Sequence, residues 1–290
     1  MPQAYMRGFC ETPNTLFVKD INSGRVRRSS TRGIGYLENF YTVDTVDEKD
    51  SPEVEEALSK IENICIPLLS KLSQGIELSN SEFADIAIYI AVQYGRTPHA
   101  KARMDKVATI IATNEMKQRM ADTVNDPKLF DEMIEELKKA NPSAELPTRE
   151  KIIEWVLKPD PLLKVKIDSG THVKHFFDQA EVIGSGLLKH KWVVLHAPAS
   201  SSFIFSDNPI GLEISRKLEE HEILAILLPG VERIFPLNAK TCLVITPHKF
   251  ERAIEHRKLT ANETRRINKL IHSQTRRYSI SGNEALIRSL

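Results

Sequence analysis

Cysteine is scarce in this sequence: 290 residues hold three, Cys10, Cys65 and Cys242, with no CxxC spacing. An odd, scattered set excludes a disulfide framework and a zinc knuckle, and it suits a reducing compartment. Long apolar runs are missing too. A strongly apolar stretch such as Ile223 to Leu228 has six residues, against the roughly 20 that a spanning helix needs. The opening MPQAYMRGFCETPNTLFVKD has no continuous apolar segment of the secretory kind. The expectation is a cytoplasmic protein with no membrane partner. Net charge is small: 40 Lys+Arg against 39 Asp+Glu leave +1, which excludes a protein that coats polyanions with its whole surface. Glycine, at 12, and proline, at 15, are too few for a low-complexity class. What remains is a globular composition: 41% hydrophobic and 27% charged residues exclude a disordered or fibrous chain and supply a core without staples.

Two short β-prone runs, Thr15–Asp20 and Arg25–Ser29, flank Ile-Asn-Ser-Gly and predict a hairpin over 15–29. Ser51-Pro52 opens an amphipathic helix with Val54, Leu58, Ile61, Cys65, Leu68 and Leu72 on one face, a kink at Pro67 and a stop at Gly75. Ser79 and Glu82 form a capping-box pattern ahead of the stripe Phe83, Ile86, Ala87, Ile90, Ala91, Tyr94. Thr97-Pro98 caps a further helix to about Met120, and others are predicted over 126–139, 148–157 and 170–189. From Trp192 the runs WVVLHA, SFIF, EILAILL and TCLVIT predict a small, mostly antiparallel sheet over 191–246. Thr260 and Glu263 cap a last helix with Ile267, Leu270 and Ile271 inward, within a helical stretch over 248–278. The fold class is α+β, a single domain over 1–290 with a mostly helical middle over 51–190.

Charge is segregated although it nearly cancels. Residues 1–36 carry six basic and two acidic side chains, residues 44–62 eight acids and two lysines, and residues 248–278 nine basic groups against three acids. The basic hairpin and terminal helix either track a phosphate backbone or pair with the acidic 44–62 segment. On that helix Arg265, Arg266 and Lys269 fall away from the apolar face and are the candidate substrate-binding cations, with Arg276 and Arg277 extending the charge.

Several stretches resemble the mainly bacterial family known as domain of unknown function 4238. The likeness runs through Met1-Pro2-Gln3-Ala4-Tyr5-Met6-Arg7-Gly8-Phe9, Glu38-Asn39-Phe40-Tyr41, Ile61-Glu62 and Gln93-Tyr94-Gly95-Arg96-Thr97-Pro98. It resumes at Trp192, Phe203-Ile204-Phe205-Ser206-Asp207-Asn208-Pro209-Ile210, Phe235-Pro236-Leu237, Ile267-Asn268 and Arg277-Tyr278. No single motif is specific, but the order and spacing cover nearly the whole chain. The family pattern opens on two histidines that are absent here. If Met1 is an internal methionine, codons upstream of it are expected to encode them. The resemblance implies no established chemistry.

The candidate catalytic residues are therefore weighed one by one. Asp207 stands between a β run and a proline, as a metal-binding carboxylate or general base, with Asn208 as a second oxygen ligand or a donor. The alternative is an Asx-turn bonding the backbone beyond Pro209. Arg96 emerges where an apolar helix ends, placed to clamp a phosphate or carboxylate or to satisfy the helix's last carbonyls. Glu62 lies off the apolar stripe, so it is either a site carboxylate or a salt-bridged surface residue. Glu38 precedes Phe40-Tyr41 and either faces a polar site or caps a turn. Arg7 is a candidate charge stabiliser. His172 and His175 share a helix face without a third ligand, which reads as a surface pair. There is no P-loop, GxGxxG, nucleophile elbow or HExxH.

Two functions of different class follow. One is a phosphodiester-cleaving, nuclease-like enzyme of a defence or toxin setting, using Asp207, Glu62 and Glu38 with Arg7 and Arg96, and with a divalent metal as its possible cofactor. The other is a non-catalytic module that binds nucleic acid or protein through its basic segments. The enzyme reading expects Arg96 and Asp207 to meet in one polar site.

Overall fold

The computed structural model describes residues 2–35, 52–143, 145–158, 163–214 and 225–290. It divides into two compact units, Met1–Lys101 with Asp168–Leu290, and Ala102–Ile167.

The first unit opens with a short helix, α1 (Gln3–Arg7), that the sequence did not predict, followed by the expected hairpin β1 (Thr15–Asp20) and β2 (Val26–Ser30). Asp20 Oδ1 accepts the Asn22 and Ser23 N–H groups at 3.0 and 3.2 Å, which shapes the turn. The short helix α2 (Thr31–Gly35) comes next. α3 (Pro52–Gln74) continues through Pro67 and buries Leu58, Cys65, Leu68 and Leu72. It stops at Gly75, whose φ of 73° favours glycine, while the Ile76 N–H returns to the Lys71 carbonyl at 3.0 Å. α4 (Asn80–Gly95) starts on the predicted capping box: Ser79 Oγ accepts the Glu82 N–H at 3.2 Å, and Glu82 Oε2 accepts the Ser79 N–H at 2.8 Å.

α5 (Pro98–Asn125) carries the chain into the second unit, which holds α6 (Pro127–Ala140) and α7 (Arg149–Leu157). Asp126 and Thr148 cap these two helices. α6 buries no residue, while Val107, Val124 and Ile152 of the same unit are buried. Arg149 donates to the Val124 carbonyl, and Thr109 Oγ1 both accepts the Val165 N–H at 2.9 Å and donates to its carbonyl at 3.3 Å.

Back in the first unit, α8 (Ser169–Leu187) is capped by Asp168 and buries Phe176, Ala180, Ile183 and Leu187. Then come β3 (His190–His196), β4 (Phe205–Ser206), β5 (Gly211–Glu213), a 3-10 turn at Ala225–Leu227, β6 (Glu232–Pro236), β7 (Thr241–Lys249) and β8 (Glu255–Lys258). The chain closes with α9 (Ala261–Ser273), β9 (Tyr278–Ser281) and α10 (Glu284–Ser289). The strands form two sheets, ordered β2-β1-β9-β4 and β5-β6-β7-β3-β8. All pairings are antiparallel except β3 with β8. One core gathers α1, α3, α4, α8 and both sheets around Trp192, Phe205 and Phe235; a second lies under α9.

The fold class stands as predicted, with corrections in detail. The single small sheet expected over 191–246 is two sheets: β4 joins β1, β2 and β9 in one, and the other runs on through β8 to Lys258. In EILAILL, residues 225–227 form a 3-10 turn rather than a strand. The buried Arg233 guanidinium explains it: it takes the carbonyls of Ile226, Val231 and Leu228 at 2.6, 2.7 and 3.3 Å, tying these residues in a loop around one cation. Burial holds its pKa down at about 10. Within 248–278 only α9 is helical, since residues up to 249 belong to β7 and 255–258 to β8. His172 is buried, not a surface residue, and meets the Phe176 ring one turn on, edge to face at 5.8 Å.

Candidate functional site

The polar residues near the end of α4 come together with α3. Arg96, at the C-cap of α4, sends Nη1 to Glu62 Oε1 at 2.8 Å, with the two side chains 9% and 23% exposed. α4 is buried over the continuous stretch Tyr89–Tyr94, so the polar groups in this stretch lie inside the fold. The Tyr89 phenol is pushed well above its ordinary pKa, first by burial, then by the charges of Glu62 and Cys65, against the pull of Arg96. Its ring meets Phe235 at 6.2 Å, and Phe235 in turn stacks on Tyr5 at 5.7 Å. Neither Tyr89 nor Gln93 was among the candidate site residues, although Gln93 lies in a motif stretch. The available signal was polar residues recurring at the steps of one face, 89, 93 and 96, in an otherwise apolar helix.

Asp207 is engaged elsewhere. It follows β4, and its carboxylate accepts three successive backbone N–H groups: Arg276 at 3.0 Å, Arg277 at 2.8 Å and Tyr278 at 3.2 Å. Its own N–H donates to the Tyr278 carbonyl at 3.1 Å. Burial pushes this carboxyl above its ordinary value, against the downward pull of those three donors. A turn-making carboxylate was one of the two roles open to it, but the backbone it holds is 70 residues away rather than just beyond Pro209. Asn208 acts as a donor, Nδ2 to the Gln274 carbonyl at 3.2 Å. The hydrogen bonds described for Asp207 and for Arg96 share no partner.

Other motif residues also meet one another. Asn268, 1% exposed on α9, accepts the Ile204 N–H at 3.0 Å and donates to the Ser202 carbonyl at 2.8 Å. Gln274 does the same for Leu212, accepting its N–H at 2.8 Å and donating to its carbonyl at 2.5 Å. Arg7 is exposed at the end of α1. Glu38 lies outside the described residues. Arg265, Arg266 and Lys269 are exposed, as predicted. Among the described residues, ion pairs of the basic segments run to Glu213 from Arg266 at 2.5 Å, to Asp20 from Arg277 at 3.3 Å and to Glu77 from Arg252 at 3.9 Å.

Among the described residues no group of three or more His, Cys, Asp or Glu is placed to hold a metal ion. Burial pushes all three thiols up, Cys65 to about 12, so they stay protonated near neutrality and are weak nucleophiles. Three histidines shift the other way. Burial lowers His190, aided by Arg233; His196, aided by His256 at 2.8 Å and by Lys258; and His272, aided by Lys19. Each is lower in the folded state than in the unfolded chain, so the unfolded chain binds more protons as pH falls through 6.5. The expected result is a urea midpoint that drops between about pH 7.5 and pH 5.5. A midpoint unchanged over that interval would show that these shifts are absent.

No helix among the described residues is long and apolar enough to cross a membrane. The arrangement is thus that of an α+β protein whose motif residues divide between staples joining distant backbone segments and one buried polar cluster. The chain belongs to the family described as "Protein of unknown function (DUF4238)", whose model matches residues 1–285. No curated protein and no solved structure matches it.

Proposed function

We propose that this protein binds nucleic acid along the phosphate backbone, at one end of the four-stranded sheet. The observation that carries this reading is the pairing of β1 with both β2 and β9. It puts two basic segments, remote in sequence, side by side: Ile21 N–H donates to the Arg277 carbonyl at 2.9 Å, and Asp20 N–H to the Arg25 carbonyl at 3.0 Å. Arg25, just before the edge strand β2, and Arg27 and Arg28 within it are exposed. The Arg277 guanidinium lies 4.9 Å from the centre of the Tyr278 ring, a cation beside an aromatic of the kind single strands stack upon. Asp207 positions this turn by holding the three N–H groups beneath it.

A salt titration of single- and double-stranded DNA and RNA binding tests the proposal. Affinity is expected to fall linearly in log–log form, and Arg25→Ala with Arg277→Ala to flatten the slope by about two phosphate contacts' worth. Arg265→Ala with Arg266→Ala gives the same reduction if α9 joins the interface. No binding at low salt rejects the reading.

Cleavage of the bound phosphodiester is the second reading, favoured by the Glu62–Arg96 pair, in which a carboxylate stands against a guanidinium that can stabilise developing charge. Its test is turnover of labelled oligonucleotides with added divalent metal, abolished in Glu62→Gln while binding persists.

A further inference from the structure

Three donor groups on one face of α4 find no acceptor among the described residues. Tyr89, Gln93 and Arg96 are spaced by four and three residues, so the helical pitch sets them in one row. Tyr89 is 0% exposed and Gln93 2%, and the Arg96 side chain is 9% exposed. Tyr89 Oη, Gln93 Nε2 and Arg96 Nη2 have no hydrogen-bond partner among the described residues. A buried donor left unsatisfied loses its hydration with nothing in return, and native proteins pair nearly all such groups. Three in one row mark the place of a missing acceptor. Glu62 already holds the other arm of the guanidinium, at 2.8 Å. The group that completes the row must therefore present several acceptor oxygens to donors on separate side chains, which a tetrahedral oxyanion does better than a planar one.

We propose that Tyr89, Gln93 and Arg96 form an internal binding site for the phosphate group of a small molecule, with Glu62 as the positioning residue for Arg96. The three side chains are buried whereas the basic residues of the sheet end are exposed, so this site goes beyond the nucleic-acid reading. It shares Arg96 with the cleavage reading, but binding without turnover is what tests it.

Calorimetry and thermal unfolding with inorganic phosphate and with a nucleoside monophosphate separate the two sources of that group. If free phosphate is enough, both raise Tm; if the ester is recognised, only the nucleotide does. Tyr89→Phe and Gln93→Leu each delete a donor at nearly constant volume. Each is expected to weaken binding about tenfold while leaving the ligand-free Tm at or above wild type, since an orphan donor is removed. A merely structural pair would lower the ligand-free Tm instead, and that result overturns the proposal. So does the absence of any Tm shift at about 10 mM of either compound, or a shift that survives both substitutions. Arg25→Ala with Arg277→Ala is expected to leave phosphate binding intact, so this proposal and nucleic-acid docking can fail independently.

Discussion

Asp207→Ala is expected to lower the free energy of unfolding by about 2–3 kcal/mol. The carboxylate accepts the N–H groups of Arg276, Arg277 and Tyr278 and is the link between the end of β4 and the turn that leads into β9. Hydrogen bonds to a charged acceptor contribute about 1.5–3 kcal/mol each. Their sum is not reached here, because the turn is partly exposed and water can take over some of the N–H groups, and because the buried charge itself is penalised. Asp207→Asn keeps one acceptor oxygen and should fall between alanine and wild type. Urea unfolding measures both. The same substitution should weaken nucleic-acid binding in the fraction that stays folded, since the Arg276–Tyr278 turn loses its mould. A change below about 0.5 kcal/mol, the range of ordinary surface substitutions, would mean that the turn holds its shape without this residue.

Asn268→Ala is expected to cost about 2–4 kcal/mol. The side chain is buried, and its two bonds satisfy both the Ile204 N–H and the Ser202 carbonyl, which lie in the segment just before β4. Alanine orphans both groups where water is excluded and leaves a void. Asn268→Asp discriminates the mechanism: it can still accept from Ile204 but cannot donate to Ser202, and it brings a charge into the core. It should therefore be at least as damaging as alanine. Equal stability of wild type and Asn268→Ala in urea would show that α9 is held by its apolar face alone, through Ile267 and Ile271.

These two positions show how far the candidate site was legible. Asp207 was weighed as a site residue, while Asn268 lay unweighed in the motif stretch Ile267-Asn268. Their roles depended on partners 70 and 64 positions away, and a side chain's partner across such a distance leaves no local trace. Glu62 and Arg96 were both singled out, while their ion pair across 34 positions had no signature of its own. Tyr89 and Gln93 were passed over because an apolar helix reads as core, and burial of a polar row becomes informative only when its partners can be counted.

The sequence by itself determined the long helices. The signals at Ser79 with Glu82, at Asp126 and at Thr260 with Glu263 are complete within one turn of chain, and the 3.6-residue stripe of α3 needs no distant partner to be seen. Composition and charge segregation likewise belong to the chain alone. Tertiary structure decided the sheets. β8 reads Glu-His-Arg-Lys with every residue exposed, and it is a strand only because β3 offers it a parallel edge. β9 is a strand because it enters between β1 and β4. EILAILL has the composition of a strand, yet at residues 225–227 the Arg233 guanidinium claims the carbonyl of Ile226. A helix satisfies its backbone from residues four positions away, whereas a strand borrows its partners from wherever the fold brings them. That is why the basic segments at the two ends of this chain became neighbours only through pairing.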